Sequence, residues 1–85
     1  MSFVYTKGFI KDRDRLSKSM QRKIIERLGL FLKNPIHPLL NNHSLHRPYD
    51  GCKSINITGN IRLIYKDEGF AIRLIRIGTH PQLYS

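Results

Sequence analysis

The sequence has few acidic residues, a single cysteine and no long apolar run, and each shortage argues against a class of protein. One cysteine, Cys52, cannot form an internal disulfide, and a lone thiol does not make a zinc site. Since no apolar stretch is both long and uncharged, we predict no membrane-spanning segment. The opening residues, MSFVYTKGF, lack a basic region followed by an apolar stretch and a cleavage site. We therefore predict no signal peptide and a cytoplasmic location.

The charged residues are unevenly divided, with 15 Lys and Arg against 6 Asp and Glu, a formal net charge of +9. Such an excess attracts polyanions and lowers stability by self-repulsion. A nucleic acid is the first expected partner, followed by an acidic protein and a membrane surface. A basic surface that serves only solubility is the alternative. The length predicts one domain over residues 1–85 with a small core, and no internal repeat or low-complexity tract is visible.

Two helices are predicted in the first half of the chain. A charged segment with a narrow apolar stripe predicts a short helix from Phe9 to Leu16. A second helix can begin at Ser17 or Ser19, whose side-chain oxygen would accept from the free amides of the first turn. Its apolar stripe recurs every four residues, at Met20, Ile24, Leu28 and Leu32, and is widened by Ile25 and Phe31. Asn34-Pro35 ends this helix, because proline disfavours the helical conformation of the residue before it.

The rest of the chain is predicted to contain strands and one long connector. A short β-type run at 3–5 opens the chain, and a long connector occupies 34–51. Three strand-like segments follow, at 52–57, 61–66 and 70–77. Because TGN and DEG between them are short and rich in turn formers, hairpins are expected. The order β-α-α-β-β-β predicts an α+β fold, with two helices packed on one face of a twisted antiparallel sheet and the other face open.

Three arginines interrupt the aliphatic strands. Arg62 alternates with apolar neighbours in its strand, and strict alternation in the last strand places Arg76 on the face of Leu74 and Arg73 on that of Ile77. Arginine suits phosphate binding, since its planar fork donates two hydrogen bonds and keeps its charge. A cationic, anion-binding sheet face is the functional interpretation. A solvated face, with the stems of these side chains lying along the sheet edge, is the structural one.

The chain ends in IGTHPQLYS, with His80 four residues before Tyr84. Cutting RNA without a metal needs a base for the 2′-hydroxyl proton, cations for the charge on phosphorus and an acid for the leaving 5′-oxygen. Histidine suits either proton transfer near neutral pH. Tyrosine can stack on an unpaired base or donate a proton. A surface or turn-stabilising histidine and a packed terminal tyrosine are the structural alternatives.

The other three histidines lie in the connector. His43 and His46 have the H-x-x-H spacing of some metal sites, but no carboxylate or thiol pair completes one. We therefore predict no metal and no other cofactor. His37, between Ile36 and Pro38, is interpreted as structural.

Three segments, NPIHPLLNNHSL, CKSINITGNIRLIYKD and IGTHPQLYS, together resemble the RelE/ParE superfamily of bacterial toxin–antitoxin toxins. The similarity is greatest to the RelE/StbE and YafQ-like branch, which ends in a strand followed by G-T-H-x-x-L-[FY]. The resemblance spans most of the chain and implies the same two-helix, open-sheet fold. It further implies an endoribonuclease that cleaves messenger RNA, typically on the translating ribosome, and is silenced by a cognate antitoxin protein. We expect the toxin itself to be monomeric.

The resemblance also assigns residues. His43 falls on the loop histidine of the YafQ-like pattern, His80 on the G-T-H histidine and Tyr84 on a terminal aromatic that is commonly phenylalanine. Arg62 falls on the arginine of an R-x-[IV]-Y strand. These four are the candidate catalytic residues. The candidate RNA-binding residues are Lys53, Asn56, Asn60, Arg73 and Arg76.

Two asparagines depart from the family pattern. Asn56 stands where YafQ-like toxins have a second histidine, and Asn60 where the hairpin turn is acidic. Because asparagine cannot exchange protons, proton transfer would rest on His80 with His43 as partner. Charge stabilisation would rest on Arg62 together with Lys53. Whether His80 acts as base or acid stays open in the sequence, and a weakened or altered nuclease is an alternative.

Two other functions stay open. A ParE-like inhibitor of DNA gyrase would share the superfamily but cut nothing, and a non-catalytic basic module would bind RNA or an antitoxin. Gyrase inhibitors of this superfamily generally lack the terminal histidine-aromatic arrangement. The ending IGTHPQLY therefore favours the nuclease.

Overall fold

The computed structural model describes residues 2–85 and contains five strands and three α-helices within that range. The strands are β1 (Ser2–Tyr5), β2 (His43–Ser44), β3 (Lys53–Asn56), β4 (Arg62–Asp67) and β5 (Ala71–Gly78), and the helices are α1 (Lys7–Asp14), α2 (Lys18–Lys33) and α3 (His80–Leu83). A 3₁₀ turn at Pro38–Leu40 lies in the connector. In the described part of the chain, no helix is long and apolar enough to cross a membrane.

The five strands form one sheet in the order β1-β5-β4-β3-β2. The hairpin-linked strands β3, β4 and β5 are antiparallel neighbours, as predicted, and β2 pairs antiparallel with β3. The first strand pairs parallel with the last, so the sheet is mixed rather than wholly antiparallel. No hairpin joins β1 to β5, and no turn therefore constrains their relative direction. Strand β2 was not predicted, because two residues are too few for a periodic pattern.

Side-chain caps set the starts of both long helices. The hydroxyl oxygen of Thr6 accepts from the backbone amide of Phe9 and also donates to the carbonyl of Leu74 at 2.7 Å, which ties the start of α1 to β5. Ser17, rather than Ser19, caps α2 by accepting from the amide of Met20. Helix α1 thus begins two residues earlier than predicted, whereas α2 ends at the predicted boundary.

The core lies between α2 and one face of the sheet. Ile24, Leu28 and Phe31 of α2 are buried, and the ring of Phe31 packs edge-on against Tyr65 with ring centroids 5.0 Å apart. Leu32 was predicted in this stripe but is 51% exposed. A four-residue step turns about 40° beyond a full helical turn, so the predicted stripe drifts away from the sheet. Phe31 takes the buried position at that end.

Alternation in β4 is as predicted, with Leu63 and Tyr65 in the core and Arg62 and Ile64 facing away from it. The prediction for Arg76 was wrong. A bulge between β4 and β5 pairs Ile64 with Arg76 but Tyr65 with Leu74, so one extra residue of β5 stands between these pairs. The extra residue shifts the alternation by one position and moves Arg76 to the face opposite α2.

Candidate functional site

A small cleft of about 120 Å³ lies on the sheet face opposite α2, beside the end of β5. The residues that line this histidine cleft are His43, Leu45, Ser54, Arg62, Ile64, His80, Leu83 and Tyr84. The structure therefore brings all four candidate catalytic residues to one place. They come from β2, from the first position of β4 and from α3 with its following residue.

One wall of the histidine cleft is α3, a single helical turn where the sequence predicted only a strand exit. Thr79 caps this turn, and a reciprocal bond from its backbone amide to Gln82 Oε1 at 2.8 Å completes a capping box. His80 and Tyr84 are four residues apart and therefore share a helix face. Their rings stack with centroids 4.5 Å apart and an interplanar angle of 25°. A Cβ at position 78 would lie 2.8 Å from Gln82 Oε1, so a larger residue there would displace the side chain that completes the capping box.

Tyr49, in the connector, contacts both α3 and Tyr84. Its hydroxyl donates to the carbonyl of Leu83 at 2.6 Å, and its ring meets Tyr84 edge-on with centroids 5.3 Å apart. Tyr84 is thus held between His80 on one side and Tyr49 on the other, and is 36% exposed. Tyr49 was not among the predicted site residues. The signal was present as an aromatic residue within a long connector.

His43 occupies the edge of the sheet on β2, opposite Ser54 of β3. Its Nδ1 lies 2.7 Å from the carbonyl oxygen of Asn41. Because a carbonyl only accepts, Nδ1 must carry the proton in this contact. In the neutral ring Nε2 then has a free lone pair, and the imidazole is exposed.

Arg62 begins β4 and is half-buried. Its strand neighbours in register are Asn56 of β3 and Gly78 of β5, and the latter leaves space beside the arginine because it has no side chain. Among residues 2–85, no carboxylate forms an ion pair with Arg62. Its buried Nε has no hydrogen-bond partner in that range either. The guanidinium therefore retains donors for an anion in the histidine cleft.

The two arginines of β5 have carboxylate partners and do not line the histidine cleft. Arg76 binds Asp12 of α1 through Nε and through Nη2, the latter at 3.2 Å from Oδ1, and the backbone amide of Ile77 also donates to Asp12. The hydrogen bond to Asp12 raises the pKa of the Arg76 guanidinium above its ordinary value. Arg73 binds Glu68 at 3.1 Å. A role for either in RNA binding stays a prediction.

The remaining predicted RNA-binding residues are dispersed. Lys53 lines a separate groove with Phe31 and Tyr65, on the helix side of the sheet. Asn60 is exposed in the β3–β4 turn, where its side-chain oxygen accepts from Thr58 at 3.1 Å. Asn56 alone of these three lies beside Arg62.

The two histidines of the connector that carry no predicted chemistry differ in their contacts. His37 caps the 3₁₀ turn, with Nδ1 accepting from the amide of Leu39 at 3.1 Å, which confirms the structural interpretation. His46 is exposed outside the histidine cleft. Within the described residues, no three His, Cys, Asp or Glu side chains are grouped so as to hold a metal ion.

Solved structures with this architecture are bacterial toxins. YafQ from E. coli strain BL21(DE3) matches with a TM-score of 0.84 at 24% identity, covering 98% of this chain and 97% of that chain. The YoeB/ParE toxin from Agrobacterium tumefaciens matches with a TM-score of 0.78 at 24% identity, covering 94% and 99%. A chain of the E. coli DinJ-YafQ toxin-antitoxin complex matches with a TM-score of 0.76 at 25% identity, covering 98% and 96%. The fold is thus that of the RelE/ParE superfamily toxins.

The sequence assigns the chain to one family within this superfamily. Residues 1–85 match the family described as bacterial toxin of type II toxin-antitoxin system, YafQ, and the chain belongs to that family. No curated protein matches the chain. The resemblance drawn from the three sequence segments is confirmed, and the protein is the toxin component of a type II toxin–antitoxin system.

Proposed function

We propose that this toxin is an endoribonuclease that cleaves messenger RNA without a metal ion. The supporting observation is the histidine cleft itself, where two imidazoles, a guanidinium free of carboxylate partners and a phenol line one small space within the described chain. RNA cleavage by the 2′-hydroxyl requires a proton acceptor, a cation and a proton donor. These side chains supply all three functions.

His43 is the proposed base. Its bare Nε2 takes the proton of the 2′-hydroxyl, and the 2′-oxygen then attacks the adjacent phosphorus. The bond from phosphorus to the 5′-oxygen breaks as the new bond forms. The products are a 2′,3′-cyclic phosphate and a 5′-hydroxyl end.

His80 is the proposed acid. It gives a proton to the departing 5′-oxygen. His43 therefore gains one proton and His80 loses one, and the two imidazoles together keep the same number of protons. Tyr84 stacks on His80 and holds the orientation of its ring. With His80 and Tyr49 packed against its ring, Tyr84 remains 36% exposed at the rim and would contact the RNA there.

Arg62 is the proposed charge stabiliser. The phosphorus centre gains negative charge during the attack, and an arginine fork with unused donors binds the nonbridging oxygens. Asn56, its register partner, is the one predicted RNA-binding residue placed to contact the reacting nucleotide. Exposed Lys53 and Asn60, together with half-buried Arg73, would contact flanking RNA.

The proposed partners follow from the substrate and the family. A net charge of +9 favours RNA and the ribosome, where messenger RNA is presented, and such a site of action lies in the bacterial cytoplasm. The solved E. coli complex pairs YafQ with DinJ in a toxin–antitoxin assembly. We infer that a cognate antitoxin likewise binds and silences the present chain, and that the free toxin is a monomer.

Primer extension on a defined transcript after brief induction tests the proposal. Discrete cuts inside translated codons, absent from uninduced cells, are expected. Intact RNA accompanied by DNA damage would instead identify a gyrase inhibitor. Intact RNA and intact DNA would identify a binding module.

A further inference from the structure

Ser54 has a buried hydroxyl with no hydrogen-bond partner. The residue lies in β3 with 2% of its surface exposed, and its Oγ contacts no donor or acceptor among the described residues. Burying a hydroxyl in this way costs about 1–3 kcal/mol. Alanine would pack at the same position without that cost. The hydroxyl therefore destabilises the free protein unless something outside the described chain uses it.

The position of Ser54 indicates what that use is. Ser54 lines the histidine cleft, with His43 opposite on one neighbouring strand and the apolar Ile64 opposite on the other. Ile64 offers no polar atom, and the Nδ1 of His43 is already bound to the carbonyl of Asn41. The hydroxyl thus faces the space in which the proposed base and Arg62 also lie.

Two further atoms close by lack partners. Asn56 is two residues from Ser54 on the same strand, so both side chains share a face. The Oδ1 of Asn56 and the Nε of Arg62, which face each other in register, are buried and unbonded among residues 2–85. The three unpartnered atoms thus offer two donors, Ser54 Oγ and Arg62 Nε, and one acceptor, Asn56 Oδ1.

A ribose phosphate complements that set. Its nonbridging oxygens accept from a hydroxyl and a guanidinium, and a ribose hydroxyl can donate to an amide oxygen. We propose that Ser54 is a substrate-binding residue whose hydroxyl donates to a nonbridging oxygen of the phosphate held by Arg62. The inference rests on the proposed nuclease function and adds to it a neutral donor between the base and the cation.

The test compares Ser54→Ala with wild type and with Ser44→Ala, a matched control. Ser44 is an exposed serine of β2 that does not line the histidine cleft. The binding probe is an RNA oligonucleotide with one 2′-deoxynucleotide at the scissile position, which cannot be cleaved. Cleavage of the unmodified message is followed in a cell-free translation reaction, and folding by thermal unfolding. Ser54→Cys, of similar size but a weak donor, is measured alongside.

Ser54→Ala and Ser54→Cys should bind the RNA probe about tenfold more weakly, with an unchanged salt slope because serine is neutral. Ser54→Ala should unfold at the same temperature as wild type or higher, and Ser44→Ala should match wild type throughout. Equal binding and cleavage by wild type and Ser54→Ala, or a lower unfolding temperature for Ser54→Ala, would overturn the role of Ser54 and leave the nuclease standing. A wild type that neither binds nor cleaves RNA would overturn both.

Discussion

The two faces of the sheet are built from the same strands but differ in their side chains and in what these contribute to stability. On the face beneath α2, successive strands contribute buried aliphatic and aromatic side chains that pack against Phe31 and its neighbours. On the opposite face, three buried polar atoms around the histidine cleft have no partner within the described residues: Ser54 Oγ, Asn56 Oδ1 and Arg62 Nε. Unsatisfied polar groups lower stability. One face therefore stabilises the fold, whereas the other carries unpartnered polar groups that lower its stability.

Arg62 and Arg76 both lie on the face opposite α2, and they too divide between structure and the proposed chemistry. Arg76 is fixed by Asp12 of α1 and ties that helix to the edge of β5, beyond the end of β1. Arg62 has no carboxylate partner in the described part of the chain and lines the histidine cleft. Side chains of one type thus act in structure at one position and in the proposed chemistry at another. Substitutions on each side should separate activity from stability.

The largest expected effect comes from the two histidines. His80→Ala should lower cleavage by about 10²- to 10⁴-fold, the usual contribution of a general acid or base, without unfolding the protein. RNA with sulfur in place of the scissile 5′-oxygen has a leaving group that needs no proton. This substrate should restore His80→Ala to near wild-type rates and leave His43→Ala impaired. The reverse pattern would exchange the roles of the two imidazoles, and a fully active, folded His80→Ala would remove this histidine from the mechanism.

Arg62→Ala should have the next largest effect. Loss of a cation that stabilises the transition state lowers cleavage by about 10²-fold. The slope of log binding constant against log salt should become shallower by about 0.7, the value for one contact with single-stranded nucleic acid. Thermal unfolding should stay within a few degrees of wild type, because no ion pair is lost. An unchanged salt slope would show that Arg62 makes no phosphate contact.

Asp12→Ala tests the structural side of the comparison, the arginine that is fixed by an ion pair. The change removes an acceptor shared by Arg76 and the amide of Ile77, so we expect a loss of about 2 kcal/mol in the free energy of unfolding. For a domain of this size that corresponds to a drop in melting temperature of about 10 °C. Exposed Asp14→Ala, in the same helix, is the control. A melting temperature equal to that of the control would mean that the pair with Arg76 contributes nothing measurable.

The sequence predicted the element order and the convergence on the cleft better than it predicted local irregularities. The family resemblance of the connector, the middle strands and the ending IGTHPQLYS assigned His43, Arg62 and His80 to one site, and all three line the histidine cleft. The bulge in β5 could not be predicted from the sequence. An alternating pattern of side chains does not show where one extra residue is inserted. Helix α3 is too short for periodicity, although Thr79 and Gln82 form a readable capping box. A serine in a strand gives no sign in the sequence that its hydroxyl lacks a hydrogen-bond partner.

The smallest expected effect concerns Tyr65, on the stabilising face, and appears only at alkaline pH. Burial raises the pKa of its phenol above the ordinary value of 10.0, and the hydroxyl donates to Asn42 Oδ1 at 2.8 Å. A raised pKa means that the folded state holds the proton more tightly than the unfolded chain. The resulting stability is present in full below pH 10 and is lost as the pH rises through the raised pKa.

Tyr65→Phe removes this titration. Near neutral pH the variant should lose about 1 kcal/mol in the free energy of unfolding, because the hydrogen bond to Asn42 disappears. Above pH 10 its stability should fall less steeply than that of wild type, so the two denaturation curves should converge. Tyr5→Phe, at a half-exposed phenol of β1, is the control and should follow the wild-type slope. Parallel curves for wild type and Tyr65→Phe above pH 10 would show that the Tyr65 phenol does not couple to folding, because only a group whose affinity for its proton changes on folding can bend the curve.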